Sequence, residues 1–138
     1  MNAELLTSID WPNNPTLENV GDAVGAARGL CVVLSPIPSD LQHAEVSGLT
    51  VIIGSTAHVY YDSELSPLNR IQTVMHEYAH ILLGDVCAEE YSLHRTTFDD
   101  PREQRAEETG MKLMIELRRR RRRRSDMLEF LSGGSKAL

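Results

Sequence analysis

The sequence predicts an α+β domain: a small three-stranded antiparallel sheet packed beside one long amphipathic helix, with further helices closing over it. Three observations lead there. Three short β-branched runs, "LCVVLSPIP", "VSGLTVIIG" and "AHVYYD", follow one another with Pro, Ser and Gly between them, the punctuation of strands and tight connections. The stretch "SPLNRIQTVMHEYAHILLGD" instead places Leu68, Ile71, Val74, Met75, Tyr78, Ile81 and Leu82 at three- and four-residue steps, the apolar face of a helix. The 138 residues are 41% hydrophobic, enough for the core of one domain, and no apolar run reaches the roughly 18 residues that a membrane-spanning helix needs.

The elements follow in order. Residues 1–14 are a lead in which Trp11 can pack on the domain; they carry no basic start and no long apolar block, so they do not read as a secretory signal. Residues 15–117 form the domain. A first helix is expected from about Pro15 to Arg28, capped by Thr16 or Asn14 and stopped by Gly29. The three strands come next, the second and third joined by a turn at Gly54 and Ser55. The long helix is capped by Ser66, has Pro67 in its first turn and ends at Gly84. "CAEEYSLHRTTF" reads as loop or broken helix. A last helix opens with Asp100 as cap, Pro101 as first helical residue and Glu103 at the capping-box position, and Met111, Leu113, Met114 and Leu117 continue it. Residues 118–138 are an arginine-rich tail, helical and then flexible.

The chemistry concentrates in "TVMHEYAHILLGD". His76 and His80 stand four apart, about 400° of helical rotation, so both imidazoles leave one face. They supply two of the three protein ligands of a catalytic zinc site, whose open position takes water. Glu77 lies about 100° further round the helix. It cannot easily join the ligands, but it can reach that water and take its proton, which is why the H-E-x-x-H spacing carries hydrolytic chemistry. The bland alternative, a helix with two core or solvated histidines, fits poorly with the acidic helix opening that follows 23 residues after His80. For the third ligand the residues leave Glu103, Glu107, Glu108, Asp85, His94 and Asp99 open. Glu103 and Glu107 share a helical face, so one can ligate while the other orients a histidine from behind.

"HEYAHILLGD" followed by "DPREQRAEETGMKLM" resembles the ImmA/IrrE family of small zinc peptidases, over roughly residues 15–117. That family pairs an H-E-x-x-H helix with a later E-x-x-A helix. The resemblance implies Glu103 as third zinc ligand, Ala106 as the small residue and Glu107 behind the ligands. It also implies a helix and a three-stranded sheet over residues 15–62 and a protein substrate that is a helix-turn-helix transcriptional repressor; the His76/His80 spacing itself predicts one zinc per chain. Thr109 and Gly110 stand where the family usually has an aromatic residue and an alanine, and Arg105 where it often has an acid.

An amide-hydrolysing site also needs donors for a developing oxyanion. Tyr91 and His94, with Arg95, lie between the two motifs and can reach over the cleft. His43 and His58 fit no ligand spacing and read as solvated. Cys31 and Cys87 read as two buried free thiols of a cytoplasmic protein, too few for a disulfide framework. The net charge of −6 hides an asymmetry: Arg118 to Arg124 are seven of the fourteen basic residues, and without them seven bases face twenty acids, a charge of −13. Seven like charges at helical spacing repel, so the run is expected to fray unless something neutralises it. No aromatics are interleaved with it, which argues against base stacking. The functional reading is a cytoplasmic zinc metallopeptidase acting on a transcriptional regulator, with no membrane partner. Two alternatives stand beside it: a zinc-containing module that sequesters a regulator without cutting it, and a nucleic-acid-binding protein driven by Arg118–Arg124.

Overall fold

The computed structural model describes residues 8–41, 46–85, 91–93 and 101–131, with the backbone alone at 41, 91–93 and 123–130. Among the described residues three α-helices and one sheet follow in the order α1 (Leu17–Ala27), β1 (Cys31–Pro36), β2 (Gly48–Ile53), β3 (Thr56–Tyr61), α2 (Pro67–Leu83), β4 (Tyr91–Leu93) and α3 (Pro101–Leu131), with a 3-10 turn at Ser39–Leu41. The class is α+β. The lead packs Ile9 and Trp11 on the core, and α1 starts at a reciprocal cap in which the Asn19 amide donates to Thr16 Oγ1 (3.1 Å) and the Thr16 amide to Asn19 Oδ1 (2.6 Å). Gly29 (φ 70°) turns the chain out of α1.

The sheet corrects the expectation of a wholly antiparallel one. Its order is β1-β3-β2-β4: β2 pairs antiparallel with β3 and with β4, but β1 runs parallel to β3. The short turn at Gly54 and Ser55 does force the antiparallel β2–β3 hairpin. The longer segment between Pro36 and Gly48 lets the chain skip a place, which β3 then fills. The fourth strand lies in the stretch expected to be loop or broken helix; three residues with one leucine carry too little pattern to announce a strand. Val32, Ile52, Ala57 and Val59 point to the helices and form the core with Val20 and Val24 of α1, while Cys31 is exposed on β1 rather than buried. His58 is half-buried and stacks on Tyr60, and His43 and Cys87 lie outside the described residues.

The helix α2 runs through the centre. Ser66 Oγ caps it by accepting from the Asn69 amide (3.2 Å), Pro67 opens it and Gly84 (φ 77°) closes it. Ten consecutive residues, Thr73–Leu82, are buried. A helix buried all round must satisfy every polar side chain internally. Tyr78 does so by donating to the Leu17 carbonyl (2.7 Å), and Gly21, with no Cβ to collide with the Tyr78 hydroxyl, lets α1 come close. The same requirement falls on His76, Glu77 and His80.

The helix α3 packs Ala106, Leu113, Met114 and Leu117 against α2. It does not stop at Leu117 but runs through the arginines to Leu131, 31 residues in all. Part of the repulsion is neutralised locally. Glu116 Oε2 accepts from Arg119 Nη2 (2.8 Å) and from Arg120 Nε (2.5 Å). Partial burial pushes the Glu116 carboxyl up, but these hydrogen bonds and charges outweigh it and hold the group below the usual carboxylate range. Arg120 also lies over the Trp11 ring (5.1 Å), and Arg121 Nε donates to the Pro15 carbonyl (2.9 Å). Two of the arginines thus clamp the N-terminal lead.

Candidate metal centre

Both histidines leave α2 toward α3, where Glu103 meets them from the first helical turn. Glu103 Oε1 lies 3.0 Å from His76 Nε2, and Oε2 lies 3.1 Å from His80 Nε2. One ligand atom from each of His76, His80 and Glu103 falls within 4.8 Å of the others, close enough for one ion. The other ring nitrogens are also engaged: His76 Nδ1 with Glu107 Oε1 (3.1 Å) and His80 Nδ1 with Asp85 Oδ2 (2.9 Å). Every nitrogen of both rings therefore faces a carboxylate oxygen. A neutral imidazole has one N–H. If that proton lies on Nδ1, each Nε2 turns a lone pair toward the Glu103 carboxylate, an arrangement that a cation between them makes favourable. The residues fit a metal ion by this count of protons and lone pairs.

Glu77 lies on the sheet side of the same helix. It is fully buried, and its Oε1 accepts from the Thr50 hydroxyl of β2 at 2.5 Å. Burial pushes its carboxyl up, the Thr50 hydrogen bond pulls it down and the Glu103 charge pushes it up again, to about 8. A cation beside it acts in the opposite sense and favours the carboxylate. Glycines bring the surrounding backbone close enough. A Cβ on Gly48 would stand 2.6 Å from Thr73 Cγ2 and 3.3 Å from Glu77 Cγ; one on Gly110 would stand 3.1 Å from His76 Cα. Gly110 thus leaves room for α3 to come close to the α2 backbone beside a histidine. Thr109, beside it, is buried.

Of the residues considered as third ligand, Glu103 is the one brought between the two imidazoles. Glu107, its side chain 64% exposed, and Asp85 stand behind His76 and His80 instead, and Glu108 is exposed outside the group. His94, Arg95, Asp99 and the cap Asp100 lie outside the described residues, and Tyr91 sits on β4 at the register position opposite Val51. Sequence reasoning missed Thr50 and Gly48, and it singled out Gly110 only as a departure from the family pattern. Thr50 has a legible signal, a hydroxyl on the same strand face as Gly48 and Ile52; nothing in the chain announces which helix faces it.

A sheet lying over an H-E-x-x-H helix, with a carboxylate delivered to both histidines by the next helix, defines a domain of metallopeptidase type. The family model for the IrrE N-terminal-like domain, Peptidase_M78, matches residues 36–131, and the chain belongs to this peptidase family. No significant match was found among curated proteins or among solved structures. Among the described residues no helix is long and apolar enough to cross a membrane.

Proposed function

We propose that the chain is a zinc-dependent peptidase that hydrolyses a peptide bond in a protein, and that the substrate is a helix-turn-helix transcriptional repressor. The observation that carries the hydrolytic reading is the convergence of His76, His80 and Glu103 beside a buried glutamate, Glu77, that is not among them. His76, His80 and Glu103 hold the ion. Two imidazoles and a carboxylate are a common donor set of catalytic zinc. When bound, zinc polarises the scissile carbonyl and makes a water acidic enough to attack near neutral pH.

The remaining work belongs to the protein. Glu107 and Asp85 fix the ring orientations and keep the protons on Nδ1. Thr50 holds one oxygen of Glu77 and so orients the carboxylate. Glu77 takes the proton of the attacking water and hands it to the leaving amine. Tyr91 and His94 are proposed as donors to the developing oxyanion. The substrate assignment rests on the likeness of "HEYAHILLGD" and "DPREQRAEETGMKLM" to the ImmA/IrrE family.

The test is incubation of the purified protein with helix-turn-helix regulators encoded near its own gene. Fragments should form, disappear with a chelator and return with zinc. Glu77→Gln should keep the fold and the zinc but slow cleavage by about 10²- to 10⁴-fold, the usual worth of a general base. Parental rates from that variant would remove Glu77 from the mechanism. Undiminished control of a regulator by an inactive variant would favour sequestration.

A further inference from the structure

We infer that the arginine end of α3 is a docking surface for the phosphate backbone of duplex nucleic acid. Helical geometry sets the charge density. Arg118 to Arg124 lie on one continuous helix, so seven cations occupy about 10 Å of axis, close to one per 1.5 Å. Duplex DNA carries about one negative charge per 1.7 Å. The arginines are not equivalent. Arg119 and Arg120 share Glu116, and Arg121 is turned to Pro15. Arg118 and Arg122 are exposed, stand one turn apart on the same side and enter no ion pair among the described residues.

Two features select a polyphosphate over an acidic protein. The run itself contains no apolar residue, the exposed Ile115 and Met111 lying before it, so an acidic protein seated on Arg118–Arg124 would gain only exposed ion pairs, worth less than about 1 kcal/mol each. A polyelectrolyte differs because each phosphate neutralised releases condensed counterions. Arginine also matches phosphate geometry with two parallel N–H donors. The absence of aromatics means backbone contact without base reading. The acidic remainder of the chain repels the duplex, so contact is confined to this end of the helix.

The inference does not depend on the peptidase reading, and its test involves no cleavage. Binding of a fluorescent duplex of about 20 base pairs is followed by anisotropy from about 0.05 M salt upward, for the full chain and for Arg118→Gln/Arg122→Gln. Glutamine is nearly as good a helix former as arginine, and circular dichroism checks that the helix persists. The parent should bind without regard to sequence, with affinity falling linearly on a log–log salt plot. The double variant should lose about 0.9 of slope per arginine and bind more weakly by on the order of tenfold for each at low salt. Arg118→Lys/Arg122→Lys should keep the slope. No binding by the parent at low salt, an unchanged slope in the glutamine variant, or a lysine variant as weak as the glutamine one would overturn the inference. Poly-glutamate displacing the duplex charge for charge would overturn it in favour of an acidic protein partner.

Discussion

Glu103 and Glu107 occupy adjacent turns of one helix and have similar chemistry, yet they meet different atoms of the same ring. Glu103 faces the Nε2 of His76 and of His80, whereas Glu107 faces only the Nδ1 of His76 and is largely exposed. Replacing Glu103 by Ala should therefore weaken zinc binding more than replacing Glu107, whose loss should cost about 10- to 100-fold, the typical effect of a residue behind a ligand. Competition titration with a zinc-binding dye gives the order directly, and the reverse order would transfer the ligand role to Glu107. The convergence of His76 and His80, with Glu77 turned away from them, was legible in the sequence because an H-E-x-x-H spacing fixes relative directions within one helix. Which acid would join the two imidazoles was not legible from spacing alone, since six acids or histidines lay within reach on elements whose relative placement no local pattern specifies. Thr50 was hidden for the same reason: its partner stands 27 residues away.

At the scale of elements, the approach of α3 to α2 positions the site, and Gly110 permits it. In an exposed helix interior Gly→Ala stabilises by roughly 0.5–1 kcal/mol. Here the added Cβ would press on the His76 backbone at 3.1 Å, and overpacking of this kind costs about 1–3 kcal/mol. Gly110→Ala should therefore reverse the usual sign. It should lower stability by about 1 kcal/mol in a denaturant titration and weaken zinc binding, because Glu103 moves with α3. A stabilised variant would mean that α3 does not approach as described. Helix ends were readable, Ser66, Gly84 and Thr16 each acting through a cap whose partner is three or four residues away, and Pro67 through its fixed φ in the first turn. Strand order was not, because the parallel β1–β3 pair is decided by where the chain goes between Pro36 and Gly48, and that stretch has no periodicity.

For the whole molecule, the candidate metal centre joins two helices that are far apart in the chain: His76 and His80 belong to α2, Glu103 to α3. A ligand bound only by the folded state stabilises it by RT ln(1 + [L]/Kd), or about 2.7 kcal/mol at a hundredfold excess over Kd. The unfolding midpoint should therefore rise with free zinc in the parent and stay flat in His76→Ala. Arg118→Gln/Arg122→Gln should respond as the parent does, because Arg118 lies roughly 20 Å along α3 from Glu103, beyond the screening length of about 8 Å at physiological salt. A charge of −6 as a plain sum concealed this division between an acidic catalytic body and a basic helix end.

The central claim is that His76, His80 and Glu103 together hold one zinc ion. Direct metal analysis of the purified protein, with His80→Ala and Glu103→Ala prepared alongside, tests it most closely. The parent should carry close to one equivalent of zinc per chain, and both variants, folded by circular dichroism, should carry far less. A folded parent that takes up no zinc, or a His80→Ala variant that retains the full equivalent, would contradict the account.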